Sequence, residues 1–78
     1  MKKKVVRDIR DRFGCAVKDR REALGLTQEE FAERAGVHRT YLSDIERGTR
    51  NLSLINIERV ASALGLKISQ LFQLVEQV

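Results

Sequence analysis

Proline is absent from this chain of 78 residues, and cysteine and histidine occur once each. Without proline, nothing in the backbone forbids helix at any position. Cys15 alone cannot form a disulfide within the chain. One cysteine and one histidine, His38, cannot make a metal cluster. Such sparing use of cysteine fits a reducing cytoplasm, and no metal is expected. Aromatic residues are few, three Phe and Tyr41. They fall at core-like spacings, which leaves no platform for stacking unpaired RNA bases. The opening MKKKVVRDIR has the positive start of a signal peptide but no apolar run behind it. No stretch approaches the roughly 20 apolar residues of a membrane span. Nothing directs the chain out of the cytoplasm, and no membrane partner is expected. Paired carboxylates in an apolar setting, a phosphate loop and a Ser-His-Asp order are all missing, so the sequence does not read as an enzyme. Neither a cofactor nor a small-molecule ligand is expected.

What is present is charge and a helical rhythm. Apolar residues make up 42% and charged residues 33%, which suits a globular chain rather than a disordered one. At this length one modest core is the limit, so residues 1–78 are read as a single domain. The net charge of +4 is unevenly spread. Residues 1–21 hold nine Lys/Arg against three Asp, +6, and residues 22–46 hold two Arg against six acids, −4. A basic balance suggests a polyanionic partner, though +4 is a small excess. Lys2 to Lys4 head a basic arm, residues 1–6, read as flexible.

Five helices emerge, and the fold class is all-α. Ile9, Phe13, Ala16, Val17 and Leu24 recur at helical spacing across roughly residues 7–23. Gly14 interrupts that helix at a cost of up to ~1 kcal/mol relative to Ala, which points to close packing there. Thr27-Gln28-Glu29-Glu30 is a capping box, followed by the apolar Phe31, Ala32 and Ala35 and ended by Gly36. His38 sits where the third helix needs its N-cap, Leu42 and Ile45 face inward, and Gly48 closes it. Ser53 is placed to cap a fourth helix carrying Leu54, Ile57, Val60, Ala61 and Leu64. Ser69 is expected to cap a fifth, within about residues 66–78. That helix holds Leu71, Phe72, Leu74, Val75 and Val78, more apolar surface than a small domain can cover. Part of this set is therefore expected in the core and the remainder at a subunit interface.

The stretch LTQEEFAERAGVHRTYLSDIERGTRNLSLINIERVASALGL resembles the DNA-binding domain of the Cro and phage-repressor type, the XRE-type helix-turn-helix. The likeness extends over about residues 12–73 and rests on the TQEE box, the Ala-Gly turn, the Ile-Glu-Arg-Gly ending and the Ala-Leu-Gly close of the fourth helix. HRTYLSDIERGTRNLSL is especially similar to the controller proteins of bacterial restriction–modification systems. The resemblance implies a compact five-helix bundle of the lambda-repressor-like kind. It also implies a homodimer on a double-stranded, (pseudo)palindromic DNA operator, regulating its own and a neighbouring gene while associated with the nucleoid. The alternatives kept beside it are an antitoxin or a small phage-type repressor of the same fold that also binds a partner protein.

The third helix suits a major groove, with its N-terminal residues nearest the base edges. Arg39, Thr40 and Ser43 are the expected base contacts. Arginine can donate two bonds to guanine, and the threonine methyl suits thymine. Gln28, at a helix start that favours anions, is an expected phosphate contact. So are His38, Tyr41, Arg47, Thr49, Arg50 and Asn51. Against these stand plainer readings: a solvated arginine, a serine bonded to its own helix, a tyrosine ring packed on the turn. Asp44 reads as a surface acid or a filter that rejects wrong sequences. By the resemblance, Arg21 and Glu46 form a structural ion pair. Arg20 stands where similar sequences carry an apolar residue. Either its stem covers the core with the head in solvent, or the first helix is slightly rotated.

Overall fold

The computed structural model describes residues 8–78; the basic arm and its three lysines lie outside them. Five helices follow one another: α1 (Ile9–Ala23), α2 (Gln28–Ala35), α3 (Arg39–Glu46), α4 (Leu54–Ala63) and α5 (Ile68–Glu76). Their starts are set by short-range chemistry. Asp8 accepts from the Arg10 N–H at 2.7 Å. Thr27 Oγ1 accepts from Glu30 N–H at 3.1 Å while Glu30 Oε1 accepts from Thr27 N–H at 2.9 Å, closing the capping box. Ser53 accepts from Asn56 N–H at 3.1 Å. The α2 helix ends in Gly36 with a left-handed backbone, and the Val37 N–H returns to the Ala32 carbonyl at 3.0 Å, which turns the chain sharply into α3.

The fifth helix departs from expectation. Its N-cap is Lys67, not Ser69. The Gln70 side chain accepts from the Lys67 N–H at 2.8 Å, so the orphan donor is met without a serine and the helix begins earlier. Val78 lies beyond its end.

The core draws on every helix: Phe13, Ala16 and Val17 of α1; Phe31, Ala32 and Ala35 of α2; Leu42 and Ile45 of α3; Val60, Ala61 and Ala63 of α4, with Leu64 just beyond it; and Leu71 and Val75 of α5. The Phe13 and Phe72 rings pack at a centroid distance of 5.6 Å, which joins α1 to α5. Leu71 and Val75 are 0% exposed. Their placement in a subunit interface is therefore wrong, because α5 docks on α1 and α4 and spends these side chains inside the protomer. Phe72 and Leu74 are half-buried and Val78 is exposed. Leu54, by contrast, faces solvent.

Gly14 sits where α1 crosses α3. A Cβ there would collide with the Ile45 carbonyl oxygen and lie 2.7 Å from that of Glu46. The close approach anticipated at this glycine is thus a backbone-to-backbone contact. Gly48, at φ 78°, brings the loop after α3 against α1, where a side chain would stand 2.8 Å from the Asp11 Cα. Arg20 follows neither anticipated course alone. Its Nε donates to the Leu64 carbonyl at 3.3 Å, so the guanidinium closes the C-terminal end of α4.

Candidate nucleic-acid interface

A helix of eight residues is too short to hold its own orientation, so α3 must be aimed by what it packs on. Leu42 and Ile45 anchor its inner face. Its last residue, Glu46, is tied to α1. Arg21 Nε donates to Glu46 Oε2 at 2.7 Å and Arg21 Nη2 to Oε1 at 3.1 Å. This is the two-pronged geometry in which arginine–carboxylate pairs are strongest. The side chains are 9% and 4% exposed. Arg21 Nη1 also donates to the Leu26 carbonyl at 2.7 Å, and Gln28 Nε2 donates to Glu46 Oε1 at 2.9 Å. The hydrogen bonds it donates to Glu46 hold the Arg21 guanidinium above its ordinary pKa, against the opposing effect of burial. One buried carboxylate thus joins α1, the start of α2 and the end of α3. Gln28, expected at a phosphate, has its amide nitrogen turned inward on this carboxylate.

On the outer face, Arg39 and Thr40 open α3 and are exposed, with His38 before them as an N-cap that makes no side-chain cap bond. Ser43, one turn on, is half-buried and accepts from Arg47 Nη1 at 3.1 Å. Tyr41 leans toward the core. Its hydroxyl accepts from Asn56 Nδ2 at 3.1 Å, and the Arg50 guanidinium lies 5.0 Å above its ring centre. Thr49 and Arg50 follow in the loop, and Asn51 is exposed at the rim of an apolar cleft lined by Ile9, Phe13, Leu52, Ile57 and Phe72. The structure brings Tyr41, Ser43, Arg47, Thr49 and Arg50 into one linked group. Arg39, Thr40 and His38 stand apart from it at the other end of α3.

Two residues of this face were not singled out as contacts. Asn56 buttresses Tyr41 across 15 positions of sequence, and no local spacing signals that pairing. Asp44 is the hub of the group, with Arg47 and Arg50 both on its carboxylate. An acid followed by arginines three and six residues later is a signal that could have marked it.

No helix among the described residues is long and apolar enough to cross a membrane. The sequence profile of the helix-turn-helix family matches residues 17–71. Control protein C.MunI of a Mycoplasma species is 45% identical over 71 residues, covering 90% of this chain and 96% of that protein. The restriction–modification controller protein C.AhdI of Aeromonas hydrophila is 41% identical in its crystal structure, with a TM-score of 0.78 over 81% of this chain and 96% of that one. Controller protein C.Esp1396I, solved as a tetramer in complex with its natural 35-base-pair operator, is 28% identical with a TM-score of 0.83. That likeness covers 92% of this chain and 95% of the other.

Proposed function

From the premise that this chain belongs to the helix-turn-helix family, we propose that it is a sequence-specific transcriptional regulator. It binds a (pseudo)palindromic DNA operator as a homodimer and controls its own gene and a neighbouring one in a restriction–modification system, in the bacterial cytoplasm. The observation that carries this reading is α3 itself. Its first turn presents Arg39 and Thr40 outward, while its last residue is locked to α1 and α2 through Glu46. A rigidly held helix with an exposed polar first turn is what a major groove requires. In this reading the loop cations Arg47 and Arg50, with Thr49, Asn51 and His38, meet the phosphates beside the groove, and Gln28, whose amide is held by Glu46, contributes through its backbone N–H at the start of α2. Ser43 reads from the second turn.

Arg39 is assigned the largest share of the sequence information. Its planar fork can meet guanine O6 and N7 together. Arg39→Ala should cost about 1–3 kcal/mol per half-site on the operator and much less on scrambled DNA. Arg50→Ala, removing a phosphate contact, should weaken both alike. Competition titrations against the duplex protected just upstream of its own reading frame, and against a scrambled duplex, measure this. Equal losses for Arg39→Ala on both would make it a backbone contact.

The subunit surface is assigned to the first turn of α4. Leu54 and Ile55 are adjacent and 78% and 64% exposed, the most exposed large apolar side chains among the described residues. Side by side, they form an exposed apolar patch of the kind that subunit contacts cover. To read two successive half-sites, the twofold axis of such a dimer must set its two α3 helices about one DNA turn, roughly 34 Å, apart. Leu54→Glu with Ile55→Glu should abolish dimers in sedimentation and weaken operator binding together, while circular dichroism shows the helices retained. Leu74→Glu on α5 should leave the dimer intact; the reverse pattern would move the interface to Leu74 and Val78.

A further inference from the structure

Asp44 lies on the α3 face that the preceding reading turns toward DNA, where a carboxylate should repel phosphate. It is not a bare charge. Arg47 Nη2 pairs with its Oδ1, and Arg50 holds Oδ2 through Nε at 3.2 Å and Nη2 at 3.1 Å. The Asp44 side chain is only 16% exposed. The loop is fixed to the same residue from the backbone side, since Thr49 donates both its N–H and its hydroxyl to the Asp44 carbonyl at 3.1 Å. Arg50 is further held by the Tyr41 ring beneath it. Arg47, steadied by the Asp44 carboxylate, donates to the Ser43 oxygen. That bond uses the hydroxyl oxygen as an acceptor and leaves its proton available to a further acceptor.

We propose that Asp44 is a specificity-determining residue. It halves the net charge that Arg47 and Arg50 together offer the phosphates and, through Arg47, orients the Ser43 hydroxyl for reading. The inference rests on the assignment of α3 as the reading helix. Its physical basis is that binding to random DNA is almost wholly electrostatic, with affinity set by the number of phosphates neutralised. Two arginines that share one carboxylate offer that attraction a net charge of one instead of two. Affinity for the correct site, which also draws on base-edge bonds, loses proportionally less. Discrimination therefore rises because the wrong sequences are penalised more than the right one.

Asp44→Asn keeps the shape and removes the charge. On scrambled duplex its affinity should rise on the order of tenfold at roughly 0.1 M salt, and the log–log salt slope of the dimer should steepen by about two units. On the operator the gain should be smaller, because Arg47 no longer steadies Ser43, so the operator-to-scrambled ratio falls. Asp44→Glu, which retains the charge, should keep the wild-type salt slope. These titrations are run on the full chain, with circular dichroism confirming that each variant is folded. A ratio unchanged in Asp44→Asn, or an unchanged slope, overturns the inference. So does a loss confined to one base-pair position among operator variants, which would put Asp44 on a base edge. If the wild type itself prefers neither duplex, the DNA-reading assignment fails instead, and the two failures are thereby told apart.

Discussion

Glu46→Ala should lower the stability of the domain by about 3–5 kcal/mol, the cost of stripping a buried ion pair of one partner. The change strands the Arg21 guanidinium at a site where its side chain is 9% exposed, and it removes the acceptor of the Gln28 amide. Arg21→Ala should cost a similar amount, since it leaves the Glu46 carboxylate buried with only an amide donor and deprives the Leu26 carbonyl of its partner. A domain of this size has on the order of 5–15 kcal/mol in total, so either variant should sit close to unfolding. Urea denaturation reads the effect as a lower midpoint at unchanged slope. The double variant should lose less than the sum of the two, because the second deletion removes the charge the first left uncompensated. Strictly additive losses would mean that the two side chains act independently. Both variants should also bind operator more weakly at temperatures where they remain folded, because α3 has lost its tie to α1.

Gly14→Ala should destabilise the protein by about 2 kcal/mol or more, although alanine is the better helix former by up to ~1 kcal/mol. The added methyl meets the carbonyl oxygens of Ile45 and Glu46. These are backbone atoms of a packed helix and cannot rotate away as a side chain would. The α1 and α3 helices must part, which disturbs the Arg21–Glu46 geometry a few residues along. For a domain of this size the change corresponds to a fall in Tm on the order of 10 °C. Gly14→Val should be worse. An alanine variant that melts at or above the wild-type temperature would show that the two helices have room to separate at no cost.

Much of this was legible in advance, and the division follows the range of the interactions concerned. Thr27 with Glu30, Ser53 before Leu54, and glycine at positions 36, 48 and 65 are signals that act within four residues. The helices they delimit lie where those signals point. The inward faces of α2 and α3 follow from the 3.6-residue period alone. Even at this range one signal misled. Ser69 is a better capping residue than Lys67, but Gln70 reaches back to the Lys67 N–H and the start of α5 moves accordingly. The pairing of Arg21 with Glu46 was available only through resemblance, since residues 25 positions apart leave no periodic trace.

Local chemistry therefore determined where the five helices start and stop and which side chains α3 offers outward. The tertiary structure alone decided which apolar residues remain uncovered, enclosing Leu71 and Val75 while leaving Leu54 and Ile55 in solvent. It also gathered Asp44, Arg47, Arg50, Tyr41 and Asn56 into one network. The reason is geometric. Helical periodicity specifies a face, but whether a face is covered, and by which charge a cation is met, depends on how helices distant in sequence cross, and neither periodicity nor a cap encodes that crossing.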